Sequence, residues 1–141
     1  MRDPRLADVR VLLVDDNEHT LTLVTGILRS LGVGTVRCAG GALEALKVLR
    51  GEPIDVLISD LYMDPVDGFT LVDLIRTAAD SPNPKLPIIV LSGHDDESSV
   101  AGARKAGANG YVTKPVSPQA LYQHLLRCTG VARVPARPTV R

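Results

Sequence analysis

Two patterns of apolar and polar residues alternate along the chain. Short runs dense in valine, leucine and isoleucine are typical of buried strands, whereas apolar residues spaced three or four apart are typical of helices. The runs of the first kind predict five strands, at residues 9–14, 33–38, 55–60, 86–92 and 110–113. The segments of the second kind predict five helices, within residues 17–32, 41–50, 69–79, 96–106 and 117–130.

Each predicted strand is followed by a predicted helix, and this order indicates the fold class. Strand–helix alternation favours a parallel sheet with helices on both of its faces. We therefore predict an α/β fold, a three-layer α/β/α doubly wound sandwich. Residues 10–130 would form the domain, residues 1–9 an N-terminal extension, and residues 131–141, with their two prolines and three arginines, a flexible tail or a stub of linker.

Several polar residues stand where the predicted strands end. The first strand ends at Asp15 and Asp16, the third at Asp60, the fourth at Ser92 and the fifth at Lys114. Because ligands of parallel α/β sheets bind beyond the carboxyl ends of the strands, we expect these side chains to share one edge of the sheet.

Three neighbouring carboxylates repel one another, and a hard divalent cation relieves that repulsion. The oxygen ligands favour Mg²⁺, with Mn²⁺ as the alternative ion. Asp60 is the candidate nucleophile, since a carboxylate can attack phosphorus and hold an acyl phosphate. Individually, Asp15 could instead cap the first helix, Ser92 could bond a strand-end amide, and Lys114 could be a solvated charge.

These residues occur in segments that resemble a known family, the receiver domain of two-component response regulators, with its CheY-like fold. The matching segments are VLLVDDN (11–17), VLISD (56–60), DG (67–68), PIIVLSG (87–93) and GYVTKP (110–115). The resemblance extends over residues 10–130. It implies a flavodoxin-like sheet of five parallel strands in the order 2-1-3-4-5.

The resemblance also implies a role for each site residue. Asp60 would be the phosphoacceptor. Asp16 and Asp60 would bind Mg²⁺ directly, Asp15 through water, and Tyr62 through its backbone carbonyl. We also expect a cis peptide bond before the proline that follows Lys114.

Other residues would sense the phosphoryl group or control its lifetime. By the resemblance, Ser92 contacts the group, Lys114 pairs with it, and Tyr111 is an aromatic switch that follows Ser92. Tyr62 and His94 occupy two positions that tune dephosphorylation, and as bulky residues they would shield the acyl phosphate. Tyr111 could also be an ordinary strand residue, because tyrosine favours strands.

One loop departs from the family pattern. Met63 is followed by Asp64, and the proline that usually follows the methionine comes one position later. We expect Asp64 to point to solvent.

Composition excludes several other functions. The 16 basic and 16 acidic residues balance, so there is no electrostatic case for binding nucleic acid or a membrane. The charged N-terminus is not a signal peptide, and no apolar run approaches the roughly 20 residues that span a bilayer. We expect a cytoplasmic protein whose Cys38 and Cys128 are free thiols.

The predicted function is a signalling switch, not an enzyme. A histidine kinase or a histidine phosphotransfer protein would donate the phosphoryl group. Phosphorylation would then remodel the face formed by the fourth helix, fifth strand and fifth helix, which would contact a downstream protein. The protein would be a monomer or a phosphorylation-dependent homodimer. We expect no output domain after Gly130 unless the chain is a fragment of a longer protein.

Two alternatives remain. One is a receiver-like adaptor that is not phosphorylated. The other is a phosphatase of the haloacid-dehalogenase type, which needs a second acid two residues after its nucleophile. Tyr62 occupies that position here.

Overall fold

Five strands and five α-helices alternate in the computed structural model, which describes residues 2–130. The strands are β1 (Arg10–Val14), β2 (Thr35–Ala39), β3 (Val56–Asp60), β4 (Ile88–Ser92) and β5 (Gly110–Thr113). The helices are α1 (Glu18–Leu31), α2 (Ala42–Gly51), α3 (Gly68–Thr77), α4 (Glu97–Ala106) and α5 (Pro118–Thr129). All strand pairs are parallel, and the order β2-β1-β3-β4-β5 confirms the predicted topology.

The sheet separates two apolar cores. Leu12, Leu57 and Ile88 lie side by side in adjacent strands and pack against α2, α3 and α4. Their chain neighbours Leu13 and Ile58 point to the opposite face, where α1 and α5 pack. Because both faces are covered, the central strands are apolar over most of their length, which explains the continuous apolar runs in the sequence.

Most helix ends lie where the sequence placed them. The Asn17 side chain accepts a hydrogen bond from the Thr20 amide, and Gly32 ends α1 with a left-handed φ of 107°. Gly51, however, was wrongly predicted to stop the second helix. It is the last residue of α2, because the next amide, that of Glu52, still bonds to the carbonyl of Val48.

Four strands begin later than predicted, β1 and β3 by one residue each. β2 and β4 each start two residues after the predicted bounds, at Thr35 and Ile88. Val33 and Leu86 were included in the predicted strands because they are apolar. The structure shows that both are buried. They contribute to the core without pairing in the sheet.

The segment before β1 packs onto the domain. Leu6, in one turn of 3₁₀ helix, is fully buried in the core shared with α1 and α5. The Asp3 amide donates a hydrogen bond of 2.8 Å to the carbonyl of Leu31 at the end of α1. The predicted tail, residues 131–141, lies outside the described residues. Within residues 2–130, every helix is too short or too polar to span a bilayer.

Candidate functional site

Three carboxylates meet at the carboxyl ends of β1 and β3. Asp15, Asp16 and Asp60 each place a carboxylate oxygen within 4.8 Å of the other two. The two strands are neighbours in the sheet, so the residues that end them share one edge. Asp15 and Asp60 are buried, while Asp16 is exposed. The cluster is thus anchored in the core and open to solvent on one side.

One cation reaches this cluster. The Lys114 Nζ lies 3.0 Å from Asp15 Oδ2 and 3.5 Å from Asp60 Oδ2. The Lys114 amide donates to the carbonyl of Ser92, which fixes the start of the side chain beyond β5. Within residues 2–130, a single ammonium group faces the three carboxylates, so negative charge remains in excess among these side chains.

The Asp60 carboxylate is disfavoured as an ion in this setting. Burial raises the pKa of Asp60, and the nearby Asp15 raises it further, while Lys114 and the Leu61 amide oppose the shift. That amide donates to Asp60 Oδ1 over 2.9 Å. A buried carboxylate with incomplete compensation gains from any added positive charge.

The other two acids have amide partners as well. The Asn17 amide donates to Asp15 Oδ1 over 2.9 Å, while the cap of α1 is Asn17 itself. The Asp64 amide donates to Asp16 Oδ2 over 3.3 Å, and the Asp64 side chain is exposed as expected. The donor set consists of carboxylate oxygens at an open edge, which fits a hard divalent cation such as Mg²⁺ that keeps several waters.

Ser92 and Tyr111 meet at a single neighbouring residue. Ser92 is buried, and its Oγ accepts a 3.1 Å hydrogen bond from the amide of His94. The Tyr111 hydroxyl donates a short hydrogen bond to the carbonyl of the same His94. The peptide bond between Lys114 and Pro115 is cis, as expected.

Tyr62 and His94, which follow Asp60 and Ser92 by two residues each, are in contact. Their ring centroids are 4.3 Å apart, and Tyr62 is 46% exposed. The Tyr62 hydroxyl also lies 2.6 Å from the Oγ of Ser99 on α4. Sequence reasoning missed Ser99, because the pair is separated by 37 positions. Only the capping signal of Asp96, at the start of α4, could have drawn attention to that turn.

The comparison with known families agrees with this geometry. The family described as "Response regulator receiver domain" matches residues 11–126 of the chain. The chain belongs to this family. It is therefore a receiver domain of two-component signal transduction.

Relatives and solved structures support the assignment. The transcriptional regulatory protein GlrR of Escherichia coli is 39% identical over 113 residues, which cover 80% of this chain and 24% of GlrR. The chain thus spans about a quarter of that relative's length. The chemotaxis protein CheY4 of Vibrio cholerae is 30% identical with a TM-score of 0.77, over 85% of this receiver domain and 98% of the CheY4 chain.

A third comparison concerns the metal. The receiver domain of the sensor histidine kinase PA1611 from Pseudomonas aeruginosa, whose structure has a magnesium ion coordinated in its active site cleft, is 28% identical with a TM-score of 0.77. The match covers 86% of this chain and 98% of that chain. Magnesium binding is therefore known in a receiver domain similar to this one.

Proposed function

We propose that Asp60 accepts a phosphoryl group from a phosphohistidine of a histidine kinase or histidine phosphotransfer protein. The observation that carries the proposal is the meeting of Asp15, Asp16 and Asp60 within 4.8 Å, with Lys114 beside them. This set provides a nucleophile, sites for a divalent cation and a cation for the incoming phosphoryl oxygens.

The transfer needs no further reactant. An oxygen of Asp60 attacks phosphorus, a P–O bond forms, and the P–N bond to the donor histidine breaks. The electron pair of that bond stays on the imidazole nitrogen, which takes up a proton. Asp15, Asp16, Asp60 and the Tyr62 carbonyl would hold Mg²⁺, which supplies positive charge against the phosphoryl oxygens when bound.

Two other side chains would complete the site. Lys114, 3.5 Å from Asp60, would exchange part of its contact with the carboxylates for one with a phosphoryl oxygen. The Ser92 hydroxyl accepts a hydrogen bond from the His94 amide, and its own proton would be donated to a phosphoryl oxygen.

The signal would leave the site through His94. Its amide bonds to Ser92 and its carbonyl to Tyr111 on β5, so a change at Ser92 is transmitted to Tyr111 through one residue. We infer that phosphorylation shifts this pair and remodels the face of α4, β5 and α5, which contacts a downstream protein. The receiver would act as a switch and assist only its own phosphorylation and dephosphorylation.

The test is intact-mass spectrometry after incubation with acetyl phosphate and Mg²⁺. In this reaction the P–O bond to acetate breaks and acetate leaves with the electron pair. We expect the wild type to gain the mass of one phosphoryl group and Asp60→Asn to gain none. Asp64→Asn, which changes an exposed acid of the same loop, is the matched control and should be phosphorylated.

Two results would contradict the proposal. Equal phosphorylation of Asp60→Asn would place the acceptor elsewhere. No mass gain in the wild type, with Mg²⁺ binding measured, would favour the adaptor function. The phosphatase alternative requires an acid at the position of Tyr62, so Asp60 lacks the general acid that such an enzyme uses.

A further inference from the structure

The Tyr62 side chain bridges two loops at the carboxyl edge of the sheet. Its backbone follows Asp60 by two residues, and its ring contacts the tilted ring of His94, which follows Ser92 by two. The ring also makes a T-shaped contact with Phe69, with 5.8 Å between the ring centroids. It therefore lies between the loop that follows β3 and the loop that follows β4, and its backbone is two residues along the chain from Asp60.

The hydroxyl of Tyr62 fixes the ring to α4. It lies 2.6 Å from the Oγ of Ser99, the third residue of that helix. Ser99 is buried, at 3% exposure, whereas Tyr62 is 46% exposed. The exposed Tyr62 ring is thus hydrogen-bonded to the buried Ser99 side chain, which belongs to α4.

The direction of this hydrogen bond follows from its neighbours. The Ser99 Oγ lies 2.9 Å from Asp96 Oδ1, and a carboxylate can only accept. The single hydroxyl proton of Ser99 is therefore donated to Asp96. Tyr62 must then donate to Ser99, which gives a chain from Tyr62 to Ser99 to Asp96, the residue that caps α4.

This series of hydrogen bonds ends on the Asp96 carboxylate, which is stabilised as an ion. Asp96 accepts bonds from the Ser98 hydroxyl and from the amide and hydroxyl of Ser99, and these lower its pKa to about 2. Consecutive hydrogen bonds that end on a carboxylate strengthen one another. The Tyr62–Ser99 hydrogen bond is for this reason stronger than an isolated contact between two hydroxyls.

We propose that Ser99 is a positioning residue that holds Tyr62 beside Asp60 and so slows the removal of the phosphoryl group by water. The inference rests on the proposed function of Asp60. In hydrolysis, a water oxygen attacks phosphorus, the P–O bond to Asp60 breaks and its electron pair stays on the carboxylate, and the protons of the water leave with the inorganic phosphate. The Tyr62 ring, when hydrogen-bonded to Ser99, would restrict the approach of that water to phosphorus. Loss of the hydrogen bond would allow the water to approach.

The same contact connects the phosphoryl lifetime to α4. A protein that binds this helix and displaces Ser99 releases Tyr62 and shortens the lifetime. By reciprocity, a phosphoryl group that favours the held ring favours the undisplaced helix. The partner-binding face thereby regulates how long the signal lasts.

The experiment measures the loss of the phosphoryl group from Asp60 by intact mass after the donor is removed. Because one hydrogen bond is lost, the phosphorylated forms of Ser99→Ala and Tyr62→Phe should each decay on the order of threefold to tenfold faster than that of the wild type. The double variant should decay no faster than either, since both changes remove the same bond. Ser98→Ala is the control, because Ser98 bonds to Asp96 but has no contact with Tyr62 among those described.

A second measurement observes the ring directly. The chain has three tyrosines, so fluorotyrosine NMR gives few resonances, and the one missing in Tyr62→Phe is that of Tyr62. Ser99→Ala should move this resonance and Ser98→Ala should not. The remaining tyrosine resonances show that each variant is folded.

The outcomes separate the two proposals. If the wild type is phosphorylated and Ser99→Ala decays at the wild-type rate, the positioning role of Ser99 is wrong and Asp60 remains the acceptor. Additive effects in the double variant would also overturn it. If no phosphoryl group is acquired while the Tyr62 resonance moves in Ser99→Ala, the hydrogen bond exists but both functional proposals fail.

Discussion

Two aspartates are buried to the same degree, yet their surroundings differ. Asp3 is 7% exposed and Asp60 is 8% exposed. Asp3 accepts hydrogen bonds from the Arg5 amide and guanidinium and from the Tyr122 hydroxyl. Asp60 faces the Asp15 carboxylate and shares Lys114 with it.

Their pKa values are shifted in opposite directions. The Arg5 side chain, helped by Tyr122, holds the pKa of Asp3 well below its ordinary 3.8. Burial raises the pKa of Asp60 above the same value. The compensated carboxylate stabilises the fold, whereas the under-compensated one would gain from an added positive charge. Burial alone therefore does not identify a functional acid; the balance of its partners does.

The largest expected effect on the free energy of unfolding comes from adding a divalent cation to the carboxylate cluster. Mg²⁺ at about 100 times its dissociation constant should raise the free energy of unfolding of the wild type by about 2.7 kcal/mol. Asp60→Asn removes one carboxylate of the cluster, so its stabilisation by the same Mg²⁺ concentration should be clearly smaller. Urea unfolding with Mg²⁺ and with EDTA measures both values.

The Asp3→Asn variant provides the contrast in this test. Asp3 lies outside the carboxylate cluster, so its variant should gain the full stabilisation by Mg²⁺. Equal gains in the wild type and Asp60→Asn would show that the cation binds somewhere other than this cluster.

The partners of Asp60 could be predicted from the sequence, whereas those of Asp3 could not all be predicted. Asp60 and Lys114 each end a strand, and parallel strands bring their ends to one edge, so their meeting was predictable from order alone. The partner of Asp3 was not, since Tyr122 is 119 positions away on α5 and no strand order brings the two together. The Tyr62–Ser99 contact was missed for the same reason.

Removing the charge of Asp3 should have the next largest effect. Asp3→Asn loses the ion pair with Arg5 and weakens the bond from Tyr122, so we expect the free energy of unfolding to fall by about 2 kcal/mol at pH 7. Asp8→Asn, an exposed acid in the same segment, should change it little. Phosphorylation at Asp60 should be unaffected by either change.

The pH dependence tests the cause of that loss. The folded pKa of Asp3 lies below its unfolded value, so its stabilisation is present above about pH 4 and is lost as pH falls toward the folded pKa. The difference between wild type and Asp3→Asn should therefore be constant near neutrality and shrink in acid. A difference that persists unchanged at low pH would assign the effect to packing, not to charge.

The smallest predicted effect compares two tyrosines. Tyr122→Phe removes one donor from the buried Asp3, so we expect a loss of about 1 kcal/mol in the free energy of unfolding and no change in the phosphoryl lifetime. Tyr62→Phe should do the opposite: its hydroxyl belongs to a half-exposed side chain, so stability changes less while the phosphoryl group is lost faster. Urea unfolding and decay of the phosphorylated mass, measured on both variants, give a two-by-two comparison. If Tyr122→Phe also shortened the lifetime, the N-terminal segment would act on the site through α5, and the separation between the structural and the functional carboxylate would fail.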